Sequence, residues 1–260
     1  NLFNGDGHGG GFPTERGATT REEYERQLAK LVGVVQALHP DIAVMMEVEN
    51  DGSGADSTLV QLVNALNAAG PVRDYRWIDT GDKLGNDAIH VAMIYRGGAV
   101  TPVGKYATLL DGPFANRSRA PLTQLFQLPD GEKLQLTAVH YKSKGCGRAP
   151  DQAQGADADQ HDGQGCWNPV RVDSVKRTAA WLATDPVHAG KDTPRLLLGD
   201  FNAYAQEDPL RTLHADGWQD AFALDAKRPR PYSFVFDGAA GRLDHALVDP
   251  AMRAHMRGAE

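Results

Sequence analysis

The chain has 260 residues, 41% of them hydrophobic and 23% charged, and a formal net charge of −7. That length can bury one large core, and the composition is that of a globular protein rather than a disordered or fibrous one. The acidic balance excludes a surface that is basic all round but allows a local basic patch beside an acidic metal site. No apolar run approaches the ~20 residues of a membrane span.

The opening Asn1-Leu2-Phe3-Asn4, with neither Met nor a charged leader, reads as a processed or trimmed end. Asp6-Gly7-His8-Gly9-Gly10-Gly11 has the look of a lipase oxyanion loop, but no Gly-x-Ser-x-Gly elbow follows, which argues against a serine hydrolase. Residues 20–38 are a predicted amphipathic helix. Thr20 and Glu23 suit a capping box, and Tyr24, Leu28, Leu31, Val32, Val35 and Leu38 recur at helical spacing until His39-Pro40. Residues 42–46 form a continuous apolar run, as in a strand buried on both faces, and end in Glu47-Val48-Glu49-Asn50. A second helix is predicted over 58–67, strands over 75–78, 88–95, 122–128 and 134–140, and a helix over 170–183. A strand at 195–198 runs into Gly199-Asp200-Phe201-Asn202, and strands at 232–236 and 242–248 follow. Without a linker or repeat, this order implies one layered α/β domain, 1–260, built on mixed sheets.

Cys146 and Cys166 are the only cysteines and bracket a polar Gly- and Asp-rich segment. A disulfide is the simplest reading, against two reduced thiols, and it implies an oxidising compartment: secreted or periplasmic. Asp157, Asp159 and Asp162 in that segment lack the closing Glu of a Ca²⁺ loop and read as solvated. Trp167, Trp181 and Trp218 are scattered and read as core.

Chemistry-bearing residues collect where apolar strands end: Glu47, His140, Asp200 and Asn202, with Asp244 and His245 inside the last strand. Strand ends are where open α/β sheets place ligands. In extended chain Asp200 and Asn202 point to one side and Phe201 to the other. Alone, this is an Asn/Asp turn after a strand. Lys142 and Lys144, on the same face as His140, and the cluster Asn116-Arg117-Ser118-Arg119 suit a phosphate ester.

In their order these segments resemble the endonuclease/exonuclease/phosphatase family, which includes DNase I, and within it the bacterial extracellular nuclease branch. The residues that carry the resemblance are Met46-Glu47-Val48-Glu49-Asn50, Asn116-Arg117, residues 140–145, Gly165-Cys166-Trp167-Asn168, Gly199-Asp200-Phe201-Asn202-Ala203 and Leu243-Asp244-His245-Ala246-Leu247. The resemblance implies a four-layered α/β sandwich, two mixed β-sheets face to face with helices outside. It implies that Glu47 binds a divalent metal, Mg²⁺ with Mn²⁺ or Ca²⁺ as alternatives. Asp200 and Asn202 would orient the attacking water, and His140 and Arg117 would contact the scissile phosphate, with Lys142 and Lys144 near it. Asp244 would orient a catalytic histidine, and Asp87 is a candidate support for His140. The family's metal-binding Asn would lie upstream of Asn1 and its terminal Ser-Asp-His beyond Glu260, so the domain is expected to lack its first and last strands here.

The implied activity is a secreted, metal-dependent phosphodiesterase, a nuclease attacking DNA or RNA by in-line addition of water, with no stable protein partner. The rivals are a sphingomyelinase or other phospholipid phosphodiesterase of the same fold, and a non-catalytic binding module. A lipid enzyme would carry an apolar membrane-facing hairpin, and the sequence shows none.

Overall fold

In the computed structural model, residues 1–6, 11–224 and 231–259 are described; Gly7 to Gly10 of the Gly-rich run lie outside them. Helix α1 (Arg21–Leu38) starts as the capping residues require: the Thr20 side chain accepts from Glu23 N, and the Glu23 carboxylate accepts from Thr19 N at 2.8 Å. Strand β1 (Ile42–Glu49) pairs antiparallel with β3 (Ile89–Arg96), and β3 with β2 (Tyr75–Trp77). Leu2 adds a parallel bridge to Val48, which makes this first sheet mixed.

The second sheet has six strands. It runs β4 (Thr101–Thr108), β5 (Leu122–Gln127), β6 (Lys133–His140), β7 (Arg195–Asp200), β11 (Asp244–Val248), β8 (Gln219–Asp220). Only β6 and β7 are parallel, so this sheet is mixed too. Their crossover carries α3 (Asn168–Ala183).

Strand alternation builds the layers. In β3, Val91, Met93 and Tyr95 face the second sheet, where they meet Leu122, Phe126, Leu136 and Ala138. Ala92 and Ile94 face the other way, against Val35 of α1 and Leu62 and Leu66 of α2 (Thr58–Ala69). On the far side Leu197, Phe201 and Tyr141 pack under α3 and α4 (Asp208–Ala215). The order helix, sheet, sheet, helix is the expected four-layered sandwich.

Among the elements not anticipated are β4, whose Pro102 and Gly104 disguise an edge strand, and the short α4. The segment read as a strand at 232–236 is a difference of another kind. Only Phe234–Phe236 (β9) is strand, and it pairs with Ala239–Gly241 (β10) in a two-stranded ribbon outside both sheets. Tyr232, Phe234, Val235 and Phe236 are all exposed there. The chain therefore does present an apolar hairpin. Alternation within residues 232–236 says which residues share a face, not whether any face is covered.

Candidate active site

Three strands of the second sheet end side by side. His140 of β6 is the register partner of Asp200 of β7, and Asp200 is the partner of Asp244 of β11. Gly199 makes this possible: at φ +145° a Cβ would stand 1.9 Å from the Val139 carbonyl oxygen, so only glycine lets β7 lie against β6 here. The chain then turns at Asn202, in the left-handed region at φ 49°. Its N–H donates to Asp200 Oδ1 at 2.7 Å and its side-chain amide to the Tyr141 carbonyl at 3.0 Å. Phe201 points into the core, edge-on to Tyr141 and His245. His245 is buried and bonds the Ala203 carbonyl at 2.8 Å, so its work is to hold that turn.

Glu47 enters from the first sheet. The β1–β3 register shifts between Met45 and Val48, and Glu47 sits in that bulge at φ 59°. The bulge turns its side chain out of the ladder, 41% exposed, where it accepts from the Asn1 side chain at 2.8 Å.

The electrostatics tie these groups together. Burial first, then the charges of Asp244 and Glu47, push the Asp200 carboxyl up to about 7, against the Asn202 N–H and Arg119, which lower it. His140 lies 3.6 Å from Asp200, beyond a hydrogen bond. Burial and the nearby Arg119 push it down to about 3, so it is a neutral imidazole. Asp87 does not support His140. It pairs instead with Arg119 Nε at 3.2 Å and Arg16 at 2.7 Å.

Arg119, expected only as a member of the basic cluster, stands closer to the carboxylates than Arg117 does. Its N–H donates to the His140 carbonyl at 3.0 Å, and its guanidinium feels Asp87, Glu47 and Asp200. Arg117 stands further out, its guanidinium 4.7 Å over the Trp167 ring and 3.9 Å from Asp151. Lys142 lies over the same ring at 5.2 Å, its pKa lowered by burial and then by Arg119 and Arg117. Arg117, Arg119 and Lys142 thus form one basic cluster. Lys144 is different: its ammonium pairs with Glu207 and rests over Tyr204. The Cys146–Cys166 disulfide is formed, and Arg171, fully buried, donates to the Cys166 and Gln164 carbonyls to fix its loop.

Glu47, Asp200 and Asp244 offer only hard oxygen donors, and the mutual repulsion that raises Asp200 is what a divalent cation relieves. That donor set fits Mg²⁺, Mn²⁺ or Ca²⁺ better than a softer ion. A second acidic group lies nearby. Asp6, Glu49 and Asp51 have ligand atoms within 4.8 Å of one another, the one such group among the described residues. Glu49 there accepts from Thr58 Oγ1 at 2.7 Å and Asn4 N at 3.1 Å, and Asp51 accepts from Thr58 N at 2.7 Å.

The endonuclease/exonuclease/phosphatase family profile matches residues 3–259. The chain belongs to that family. Its members are usually metal-dependent phosphoesterases. Similar solved structures include a Bacteroides thetaiotaomicron mannosyl-6-phosphatase, 17% identical, with TM-score 0.60 over 88% of this chain and 79% of that one. The human nocturnin catalytic domain with bound sulfate is 16% identical, TM-score 0.60, over 88% and 76%. A humanized D. rerio TDP2 is 14% identical, TM-score 0.60, over 87% and 77%. At these identities the likeness is one of fold. No protein of curated function matches the sequence.

Proposed function

We propose that this chain is a secreted or periplasmic, divalent-metal-dependent phosphodiesterase acting on nucleic acid, DNA or RNA. The observation that carries the reading is the side-by-side register of His140, Asp200 and Asp244, with Asn202 at the turn and Glu47 and Arg119 in the same field. Phosphate esters resist attack because the nucleophile meets negative oxygens. A site that combines a carboxylate able to hold a proton near neutral pH with neighbouring fixed cations answers that need.

Asp200, with a carboxyl at about 7, orients the attacking water and takes its proton, and the Asn202 N–H fixes which oxygen does so. Neutral His140 donates to a non-bridging oxygen. Arg119, held by Asp87, and beyond it Lys142 and Arg117 offset the charge that develops on the phosphoryl group. Glu47 would hold the metal ion, whose positive charge would polarise the phosphate when bound. The cluster of three cations suits a substrate with successive phosphates better than a monoester. The disulfide supports an oxidising compartment.

A second reading, a phospholipid phosphodiesterase, is favoured by one observation, the exposed apolar ribbon at Phe234–Phe236. Nicking of supercoiled plasmid by the full-length protein, in Mg²⁺ and in EDTA, separates the two. Cutting that needs the ion supports the nuclease. Hydrolysis of phospholipid vesicles with intact plasmid selects the second reading. Plasmid binding without turnover would leave a non-catalytic module.

A further inference from the structure

A cleft of about 680 Å³ opens beside the catalytic turn and shares Asn202 with it. None of the steps above uses it. One wall is the ribbon, through Phe234 and Phe236; the opposite wall is the disulfide-bounded loop, through His161, Gly163 and Gly165. Lys144 and Tyr204 also line it.

Phe234 and Phe236 stand two residues apart in one strand and so share a face. Their rings stack at 6.1 Å with planes 10° apart, yet remain 42% and 69% exposed. Leaving two rings in water is unfavourable by the area they expose, unless something flat and apolar covers them. The cleft offers no free cation, because the Lys144 ammonium is paired with Glu207 and lies 5.1 Å over Tyr204, while the exposed Asp159 carboxylate on the loop wall disfavours a phosphate there. The arginines of the basic cluster, Arg117 and Arg119, line a separate opening of about 480 Å³ that shares no lining residue with the cleft. The site therefore separates two kinds of ligand chemistry on either side of the turn: phosphate on the basic side, a flat and largely uncharged ring on the aromatic side.

We propose that this cleft is the subsite for an unpaired nucleobase adjoining the scissile phosphate, stacked on the Phe234–Phe236 face. The inference rests on the nuclease reading above. A base within a duplex is already stacked and cannot enter, so the preferred substrate is single-stranded or frayed nucleic acid. The ribbon's orientation favours a base over a lipid surface. The rings face the cleft, and the ribbon's tip is Asp237-Gly238, a charge that insertion into hydrocarbon would have to bury.

The test uses the full-length protein and the double variant Phe234→Leu/Phe236→Leu, which keeps apolar side chains on an exposed ribbon and removes only the rings. Binding is read in EDTA by fluorescence anisotropy with three labelled probes: a single-stranded oligonucleotide, its duplex, and a strand of the same length whose sugars carry no bases. Parent protein is expected to bind the single strand tighter than the duplex. The variant should lose about tenfold or more on the single strand and nothing on the baseless strand. Equal binding of the normal and baseless strands by the parent overturns the proposal, as does an equal loss by the variant on both. Ring-dependent sedimentation of the parent with phosphatidylcholine vesicles, with no effect of the rings on the single strand, would reassign the ribbon to membranes. Because binding needs no turnover, a failed subsite and a failed nuclease reading give different results: plasmid cut with unchanged Phe-variant binding removes the subsite alone.

Discussion

Two glutamates of the same strand, β1, have opposite characters, and each stands among other acids. Glu49 is buried and fully engaged, taking hydrogen bonds from Thr58 Oγ1 and Asn4 N, while its neighbour Asp51 takes the Thr58 N–H near the start of α2. Two residues earlier, Glu47 is turned out by a bulge into the field of Asp200 and Asp244 and is half-exposed. In the first group hydrogen bonds tie Glu49 to the fold, while Asp51 keeps one buried oxygen without a partner and its carboxyl is pushed up to about 6 by burial and by the charge of Glu49. In the second, Asp200 accepts from the Asn202 N–H and side-chain amide, Glu47 accepts from the Asn1 side chain, and the charges of Asp244 and Glu47 still bear on Asp200. Glu49, buried and bonded to two elements, belongs to stability; Glu47, turned outward towards Asp200 and Asp244, is placed to meet a cation. Substitutions should separate the two groups cleanly.

The largest effect is expected at Asp200. Asp200→Ala should lower the rate of phosphodiester cleavage by about 10³-fold or more, since it removes the group that positions the nucleophile. Glu47→Ala should behave similarly, and raise the Mg²⁺ needed for half-maximal rate. Glu47→Ala should leave the urea midpoint unchanged, because that side chain is turned out of the ladder, whereas Asp200→Ala also removes the acceptor of the Asn202 N–H and side-chain amide. Parent-like cutting by Asp200→Ala would remove the site assignment altogether.

Stability in EDTA should make the same point with reversed sign. Asp200 titrates at about 7 in the folded chain, above its ordinary range, because burial disfavours the carboxylate. Its contribution to stability is therefore present below the unfolded pKa and is lost as pH rises through about 7. Asp200→Asn, inactive, should be more stable than the parent at pH 8, by roughly 2–4 kcal/mol. That advantage should shrink as pH falls from 7 towards 4. His140, pushed down to about 3, acts oppositely in both proteins: its share of stability is full above its unfolded pKa and is lost as pH falls towards 3. The difference between parent and variant isolates Asp200. A flat difference from pH 4 to 8 would show that the carboxyl is not strained.

Glu49→Ala should invert the pattern of Glu47→Ala. It leaves Thr58 Oγ1 and Asn4 N without their acceptor in a buried place and should cost about 2–3 kcal/mol in urea unfolding, with metal-dependent cutting kept. If Glu49→Ala abolished the Mg²⁺ response and Glu47→Ala preserved it, the ion would belong to the Asp6–Glu49–Asp51 group instead.

Much of this was legible in the sequence. Periodicity gives helices between buried strands, the family resemblance gives the four layers, and Gly199-Asp200-Phe201-Asn202, a common turn when taken alone, gains its role from the ordered set of motifs around it. Three things were not legible. The bulge at Glu47 depends on how β1 meets β3, a pairing between residues over 40 apart. The ribbon at Phe234–Phe236 has the composition of a core strand, and only the tertiary fold leaves it uncovered. Arg117 and Arg119 are equivalent by type and nearly so by position. What separates them is Ser118, buried between them, which bonds Ser174 Oγ and accepts from Lys142 N.

That last pair gives the finest test. Arg119 is mostly buried, held by Asp87, and lies in the field of Asp200 and Glu47. Arg117 is over a third exposed, with its nearest carboxylate 3.9 Å away and its plane supported by Trp167. A cation fixed beside the reacting group stabilises charge that appears only as the reaction proceeds, whereas one at the rim attracts substrate and product alike. Arg119→Ala should therefore lower kcat about 10–30-fold with KM little changed. Arg117→Ala should raise KM about threefold, an effect that fades between 50 and 300 mM salt because exposed charges are screened. Arg119→Lys should recover only part of the loss, since one ammonium cannot face Asp87 and a phosphate oxygen as a planar guanidinium does. If instead Arg117→Ala carried the kcat defect and Arg119→Ala altered only KM, the sequence resemblance would have named the right arginine, and the Arg119–Asp87 pair would be structural.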